Sequence, residues 1–182
     1  VTFVGSSRVA EIVAQRCRAI NKRVLALGGA KNHLVALPDC DQEMVVNDIL
    51  TSAFGSAGQR CMAASVLVLV GDTGELLQSI CAAAARLQPG SGVGEVGPII
   101  DRAGGERIHR YINEAEASGV QVLLDGRPWL SEGPAASRGG CFIGPTVLLH
   151  SSAQDPAMQD EVSRMSGEVV RAEALCSNSA TY

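Results

Sequence analysis

Short apolar strands separated by helical stretches of ten or more residues constrain this chain most. Val1-Thr2-Phe3-Val4 is β-branched and aromatic, Gly5-Ser6-Ser7 breaks it, and Val9, Ile12, Val13 and Cys17 then recur at helical spacing. Arg23 to Leu27 and His33 to Leu37 read as two further strands around Gly28-Gly29-Ala30. Asp39-Cys40-Asp41 supplies a cap for a helix through Phe54. After the small-residue segment from Gly55 to Cys61 the pattern repeats, with a strand from Ser65 to Val70 and a helix from Gly74 to Leu87. A glycine-rich connection follows from Gly90 to Gly97, then a helix from Arg107 to Ala117 and a strand from Val120 to Leu124. Gly126 to Gly140 is a long polar loop, and Phe142 to Leu149 is the last strand. Strands that reach their neighbours through helices pair in parallel, so an α/β fold with a largely parallel sheet is expected. Beyond about Asp155 the periodicity fades and predicts a loosely ordered tail.

With 182 residues, 46% of them apolar and 19% charged, the chain can bury a core and is not a disordered polypeptide. A net charge of −4 without a basic run gives no footprint for nucleic acid. Apolar stretches such as Val66 to Val70 and Ile80 to Ala85 fall far below the roughly 20 residues of a membrane span, so no membrane partner is expected. The start reads as a strand rather than a leader, and the expectation is a chain that opens in mid-domain. Six scattered cysteines without a CxxC pair, and three histidines at positions 33, 109 and 150, match no zinc spacing. Such thiols fit a reduced, intracellular setting, and no metal is expected.

Gly55-Ser56-Ala57-Gly58-Gln59-Arg60-Cys61 carries the most chemical information. Its small residues allow close backbone approach, and the loop delivers a thiol just before an apolar strand. Arg60 adds a fixed positive charge that favours the reactive thiolate. By spacing alone, Cys61 reads better as one buried apolar residue among six cysteines, and Arg60 as one partner of a surface or structural salt bridge. Gly5-Ser6 forms a turn before a helix whose free N–H groups suit an anion, but it lacks a full GxGxxG fingerprint, and turn geometry alone also explains it. Gly28-Gly29 likewise reads as a tight turn. Gly90 to Gly97 lacks the Lys-Ser/Thr of a phosphate loop and reads as a connector.

Phe54 to Ala63 resembles the active-site cysteine segment of aldehyde dehydrogenases, and Arg60-Cys61-Met62 resembles that of the CoA-acylating, methylmalonate-semialdehyde branch. Gly28-Gly29-Ala30-Lys31-Asn32-His33 is similar to that branch's glycine-rich segment, and Phe3-Val4-Gly5-Ser6 to the family's cofactor strand and turn. Val96-Gly97-Pro98, Leu124-Asp125-Gly126 and Gly144-Pro145-Thr146 follow in the family's order.

The resemblance runs from residue 1 to about Glu161. It implies a partial aldehyde dehydrogenase fold: residues 1–31 closing an NAD-binding Rossmann-like domain, 32–160 forming part of the catalytic α/β domain, and 161–182 a divergent tail. It further implies that Cys61 attacks a semialdehyde, that the hemithioacetal gives hydride to NAD, and that a thioester remains for coenzyme A. Hydrolytic members place a water-activating glutamate where this chain has Leu27, which cannot act as a base. By the same resemblance Arg60 holds the substrate carboxylate, Gly5 and Ser6 meet the cofactor pyrophosphate, Gly28 approaches the nicotinamide, and Glu161 holds the nicotinamide ribose. The implied parent enzyme is a homotetramer, mitochondrial in a eukaryote and cytoplasmic in a bacterium. The alternatives left open are a hydrolytic aldehyde dehydrogenase and an inactive chain that serves as an interaction module.

Overall fold

The first strand, β1 (Thr2–Val4), leads through a turn into α1 (Ser7–Ala19) and back to β2 (Leu25–Leu27), in a computed structural model that describes residues 1–131, 140–152 and 166–171. β1 and β2 pair in parallel, with Thr2 opposite Leu25 and Val4 opposite Leu27. These elements make up one of two compact units, Val1–Lys31 and Asn32–Tyr182. α1 buries Ala10 and Cys17, two turns apart on one stripe, while Val9 and Ile12 stay exposed. The helical periodicity is therefore present, but its buried face lies one residue round from the expected one. Asn21 ends the helix at φ 52, and the Lys22 N–H returns to the Cys17 carbonyl at 2.9 Å.

The second unit holds a five-stranded sheet in the order β3 (Asn32–Ala36), β4 (Ala64–Leu69), β7 (Ser166–Arg171), β6 (Thr146–His150), β5 (Gln121–Leu124). All pairings are parallel except β5 with β6 at one edge. Val66 to Leu69 of β4 are all buried, as befits a parallel strand covered on both faces. The helices are α2 (Gln42–Ile49), α3 (Gly74–Ala84), α4 (Arg102–Ala117) and the short α5 (Pro128–Ser131). Asp41 caps α2 by accepting the Met44 N–H at 3.0 Å, and Asp101 caps α4 by accepting that of Gly104 at 2.5 Å.

Several boundaries and elements differ from the sequence expectation. α4 starts at Arg102, before Arg107, because Asp101 caps it and the helix tolerates Gly104-Gly105. A Cβ on Gly105 would stand 2.7 Å from the Cys141 sulfur. β6 starts at Thr146 rather than Phe142: the residues before it are buried but outside the ladder, and the Gly144 N–H bonds to the Gly126 carbonyl at 2.9 Å. β7 lies within the stretch expected to be a loose tail, between β4 and β6 at the centre of the sheet. α5 occupies part of the expected polar loop.

Two apolar clusters cover the sheet. Leu76, Leu77, Ile80 and Ala84 of α3 pack with Leu67, Leu69, Phe54 and Val147, whereas Ile108, Ile112 and Ala115 of α4 pack with Ile143, Ala57 and Leu148. Val147 and Leu148 are successive residues of β6, so strand alternation puts the clusters on opposite faces.

Candidate active site

α2 does not end in an open coil. It widens into a π-type turn at Leu50–Phe54 and then tightens into a single turn at Gly55–Gly58, in which Ser56, Ala57 and Gly58 have φ of 54, 53 and 65. Left-handed backbone costs an L-residue roughly 1–2 kcal/mol, so Ser56 and Ala57 hold strain that the surroundings must impose. Packing imposes part of it. Phe54 belongs to one apolar cluster and the fully buried Ala57 to the other, so the turn carries the chain from one face of the sheet to the opposite one.

Side chains fix the rest. The Gln59 amide donates to the carbonyls of Ser56 at 3.3 Å and Pro98 at 3.0 Å, while its oxygen accepts the Ile100 N–H at 2.9 Å. The Ser52 hydroxyl accepts the Ala64 N–H at 3.0 Å. Asn32 Nδ2 donates to the carbonyls of Cys61 at 2.8 Å and Ala63 at 3.1 Å. The Ala63 N–H closes back on the Arg60 carbonyl at 3.0 Å. Cys61 is exposed and sits just before β4, at the amino ends of β3 and β4. In open α/β sheets ligands usually gather at the carboxyl ends of the strands, so this thiol stands at the less common edge.

Arg60 Nη2 donates to the backbone carbonyls of Thr51 and Ser52, 3.1 Å from the latter, which satisfies the end of the π-type turn. Both edges on which a guanidinium takes a carboxylate as a fork include Nη2. Nη1 and Nε have no partner among the described residues. As placed, Arg60 is a staple whose Nη2 holds the turn, with Nη1 and Nε left as donors.

The other described cysteines are less available. Cys17 is buried and Cys40, Cys81 and Cys141 are half-buried. Burial pushes the thiols of Cys81 and Cys141 up, away from thiolate formation. Cys61 is the exposed thiol among the described residues.

Within the first unit, Gly5, Ser6 and Gly28 come together at the carboxyl ends of two parallel strands. The Gly5 N–H donates to the Leu27 carbonyl at 3.1 Å, and a Cβ on Gly28 would stand 2.8 Å from the Ser7 hydroxyl oxygen. Ser7 Oγ accepts the Gly29 N–H at 3.0 Å. Ser6 is the N-cap residue of α1, yet its side chain makes no capping bond, and the first turn holds no acidic residue. The helix start is thus open to an anion, with glycines leaving room beside it. Glu161 lies outside the described residues.

The aldehyde dehydrogenase family model matches residues 1–163. The chain belongs to that family. Malonate-semialdehyde dehydrogenase 2 of Geobacillus thermodenitrificans is 43% identical over 96% of the chain. A crystallised methylmalonate-semialdehyde dehydrogenase from Oceanimonas doudoroffii superposes with a TM-score of 0.86 at 38% identity, over 94% of the chain. A Sinorhizobium meliloti protein described as a candidate methylmalonate-semialdehyde dehydrogenase, solved with NAD, gives 0.85 at 30% identity. The chain spans 36% of the length of the Geobacillus relative. The fold is accordingly a partial aldehyde dehydrogenase fold.

Membership in this family gives the clamp around Cys61 its interest. Sequence reasoning singled out Cys61 and Arg60 but missed Gln59, Ser52 and Asn32 as holders of the aldehyde dehydrogenase cysteine turn. Only the position of Gln59 and Asn32 inside the quoted motifs offered a signal, since their partners are backbone carbonyls distant in sequence. Among the described residues, no group of three or more His, Cys, Asp or Glu side chains could hold a metal ion, and no helix is long and apolar enough to cross a membrane.

Proposed function

We propose that the protein carrying this chain oxidises malonate or methylmalonate semialdehyde with NAD and passes the acyl group to coenzyme A, yielding acetyl-CoA or propionyl-CoA with loss of the carboxylate carbon. The observation that carries this reading is the exposed Cys61 after a strained turn held by several side chains, within an aldehyde dehydrogenase chain. The malonate- and methylmalonate-semialdehyde dehydrogenases that it resembles support the substrate class.

In this reading the Cys61 sulfur adds to the aldehyde carbon, and the carbonyl oxygen takes up the proton to give a hemithioacetal. NAD, when bound, supplies the two-electron acceptor that leaves a thioester on Cys61. The open start of α1 at Gly5 and Ser6 holds its pyrophosphate, Gly28 gives it room, and Glu161 takes a ribose hydroxyl. The acyl group's carboxylate leaves as CO2, a proton taking its place on the adjacent carbon, and the coenzyme A thiol then displaces Cys61 from the acyl carbon of the resulting acetyl or propionyl thioester, its proton passing to the cysteine sulfur. Leu27, where hydrolytic members carry glutamate, offers no base for water, and a thiol needs less activation than water does.

Arg60 meets the substrate carboxylate through Nη1 while Nη2 keeps the turn closed. A single charge-assisted contact is worth about 1.5–3 kcal/mol, or roughly ten- to a hundredfold in specificity. In a full-length enzyme carrying this segment, Arg60→Ala is expected to lower kcat/KM for malonate semialdehyde by that factor beyond its effect on propanal. Equal losses on both aldehydes would confine Arg60 to its staple role and remove the carboxylate contact from the mechanism.

A further inference from the structure

We propose that Asn32 is a positioning residue for the Cys61 thiol, acting through one amide nitrogen shared between two carbonyls, an inference that rests on the reading of Cys61 as the nucleophile. Gln59, Ser52 and Arg60 grip the turn before or after the cysteine. Among the described residues Asn32 alone places a side chain on an atom of Cys61 itself, its carbonyl oxygen at 2.8 Å, and it reaches Ala63 at 3.1 Å with the same nitrogen. An amide NH2 carries two hydrogens and can serve both acceptors, which a hydroxyl or an ionised carboxylate cannot do.

The sheet prepares this contact. Asn32 lies opposite Ala64 but His33 opposite Val66, so the register slips and Ser65 is left over on β4. The Ser65 hydroxyl donates to the Asn32 carbonyl at 3.4 Å, which fixes the backbone of the residue whose side chain clamps the turn. Pinning the Cys61 carbonyl fixes the plane of the peptide that follows, and with it the ψ angle of Cys61. The Cβ leaves the same Cα, so the direction of the thiol is constrained as well. A shift of about 1 Å in a reacting group can cost about a hundredfold in rate, which is the scale on which such a clamp matters.

The test labels Cys61 of the whole chain with a small trifluoromethyl reagent and reads it by fluorine NMR, with Cys61→Ser to assign the signal and circular dichroism to confirm folding. The parent is expected to show one narrow resonance. Asn32→Ala should split or broaden it, with the ratio of the principal to the alternative conformers falling about fivefold, the change that loss of one hydrogen bond of ordinary net strength allows. Asn32→Asp is nearly isosteric but has no donor when ionised; it should be disordered at neutral pH and regain part of the parent population as the carboxyl protonates and its one O–H reaches one of the two carbonyls. A native spectrum with an unchanged resonance in Asn32→Ala overturns the proposal. If that variant does not fold, the absence of recovery on acidifying Asn32→Asp overturns it instead. Competitive alkylation of the parent separates the two readings: a faster thiol than Cys61 would sink the nucleophile assignment while leaving the fluorine result to decide the clamp.

Discussion

Gly126→Ala should be among the most damaging single-methyl additions to this chain. A Cβ there would stand 1.8 Å from the Gly144 carbonyl oxygen and 2.3 Å from its carbon, both of them backbone, so no side-chain rotation relieves the contact. Separating the two strands of backbone to ordinary contact breaks two bonds, from the Gly144 N–H to the Gly126 carbonyl at 2.9 Å and from the Gly126 N–H to the buried Thr146 hydroxyl at 3.1 Å. Each buried group left without a partner costs about 1–3 kcal/mol, so the expected loss is about 3–5 kcal/mol. That is a large fraction of the roughly 5–15 kcal/mol that holds an ordinary domain together. Urea unfolding followed by circular dichroism should show the midpoint fall by about 2 M with little change in slope. Gly97→Ala is the matched control: its nearest neighbour is the Gly90 carbonyl at 4.0 Å, and it should change stability by no more than about 0.5 kcal/mol. A loss below about 1 kcal/mol for Gly126→Ala would refute the backbone contact.

Arg127 donates to Asp125, Glu116 and Asn113 and ties α4 to the end of β5. Its hydrogen bond holds the Asp125 carboxyl below the usual carboxylate range, so this pair stabilises the fold above the unfolded value near 4 and is lost as pH falls through the lower folded value. Asp125 is 37% exposed, and solvent screening limits the coupling to about 0.5–1 kcal/mol. A double-mutant cycle with Arg127→Ala and Asp125→Ala should show that coupling at pH 7 and a weakening coupling as the pH is taken below about 4; a coupling that does not weaken would refute it. The 182-residue chain alone should give no NADH from malonate semialdehyde and coenzyme A, because turnover needs acceptor and oxyanion donors held against the reacting carbon. Cys61-dependent turnover of about 1–1000 per second would contradict this.

Much of the architecture was legible because strand and helix periods differ. β1, β3, β4, α1, α2 and α3 all stand close to where hydrophobic spacing puts them. β7 was not legible, because Ser166-Gly167-Glu168 reads as polar loop and only pairing with Val66 to Leu69 and with β6 draws the segment into the sheet. The early start of α4 was hidden by Gly104-Gly105, residues that disfavour a helix unless Asp101 and the packing against Cys141 compensate. At the site, the small residues before Cys61 pointed to a presented thiol, and that thiol is exposed. The left-handed Ser56 and Ala57 were not, since neither residue type favours that backbone and tertiary packing imposes it. The pair of hydrogen bonds from Arg60 to the turn was equally hidden, because their acceptors are main-chain carbonyls that carry no residue signature.

Acyl trapping tests the nucleophile most directly. A full-length enzyme carrying this segment is incubated with malonate semialdehyde and NAD without coenzyme A, quenched in acid, and its peptides are weighed. An acyl adduct on Cys61 that persists in water and disappears within one turnover after coenzyme A is added is the expected result. NADH formation with the adduct on another residue, or with none at Cys61, would contradict it.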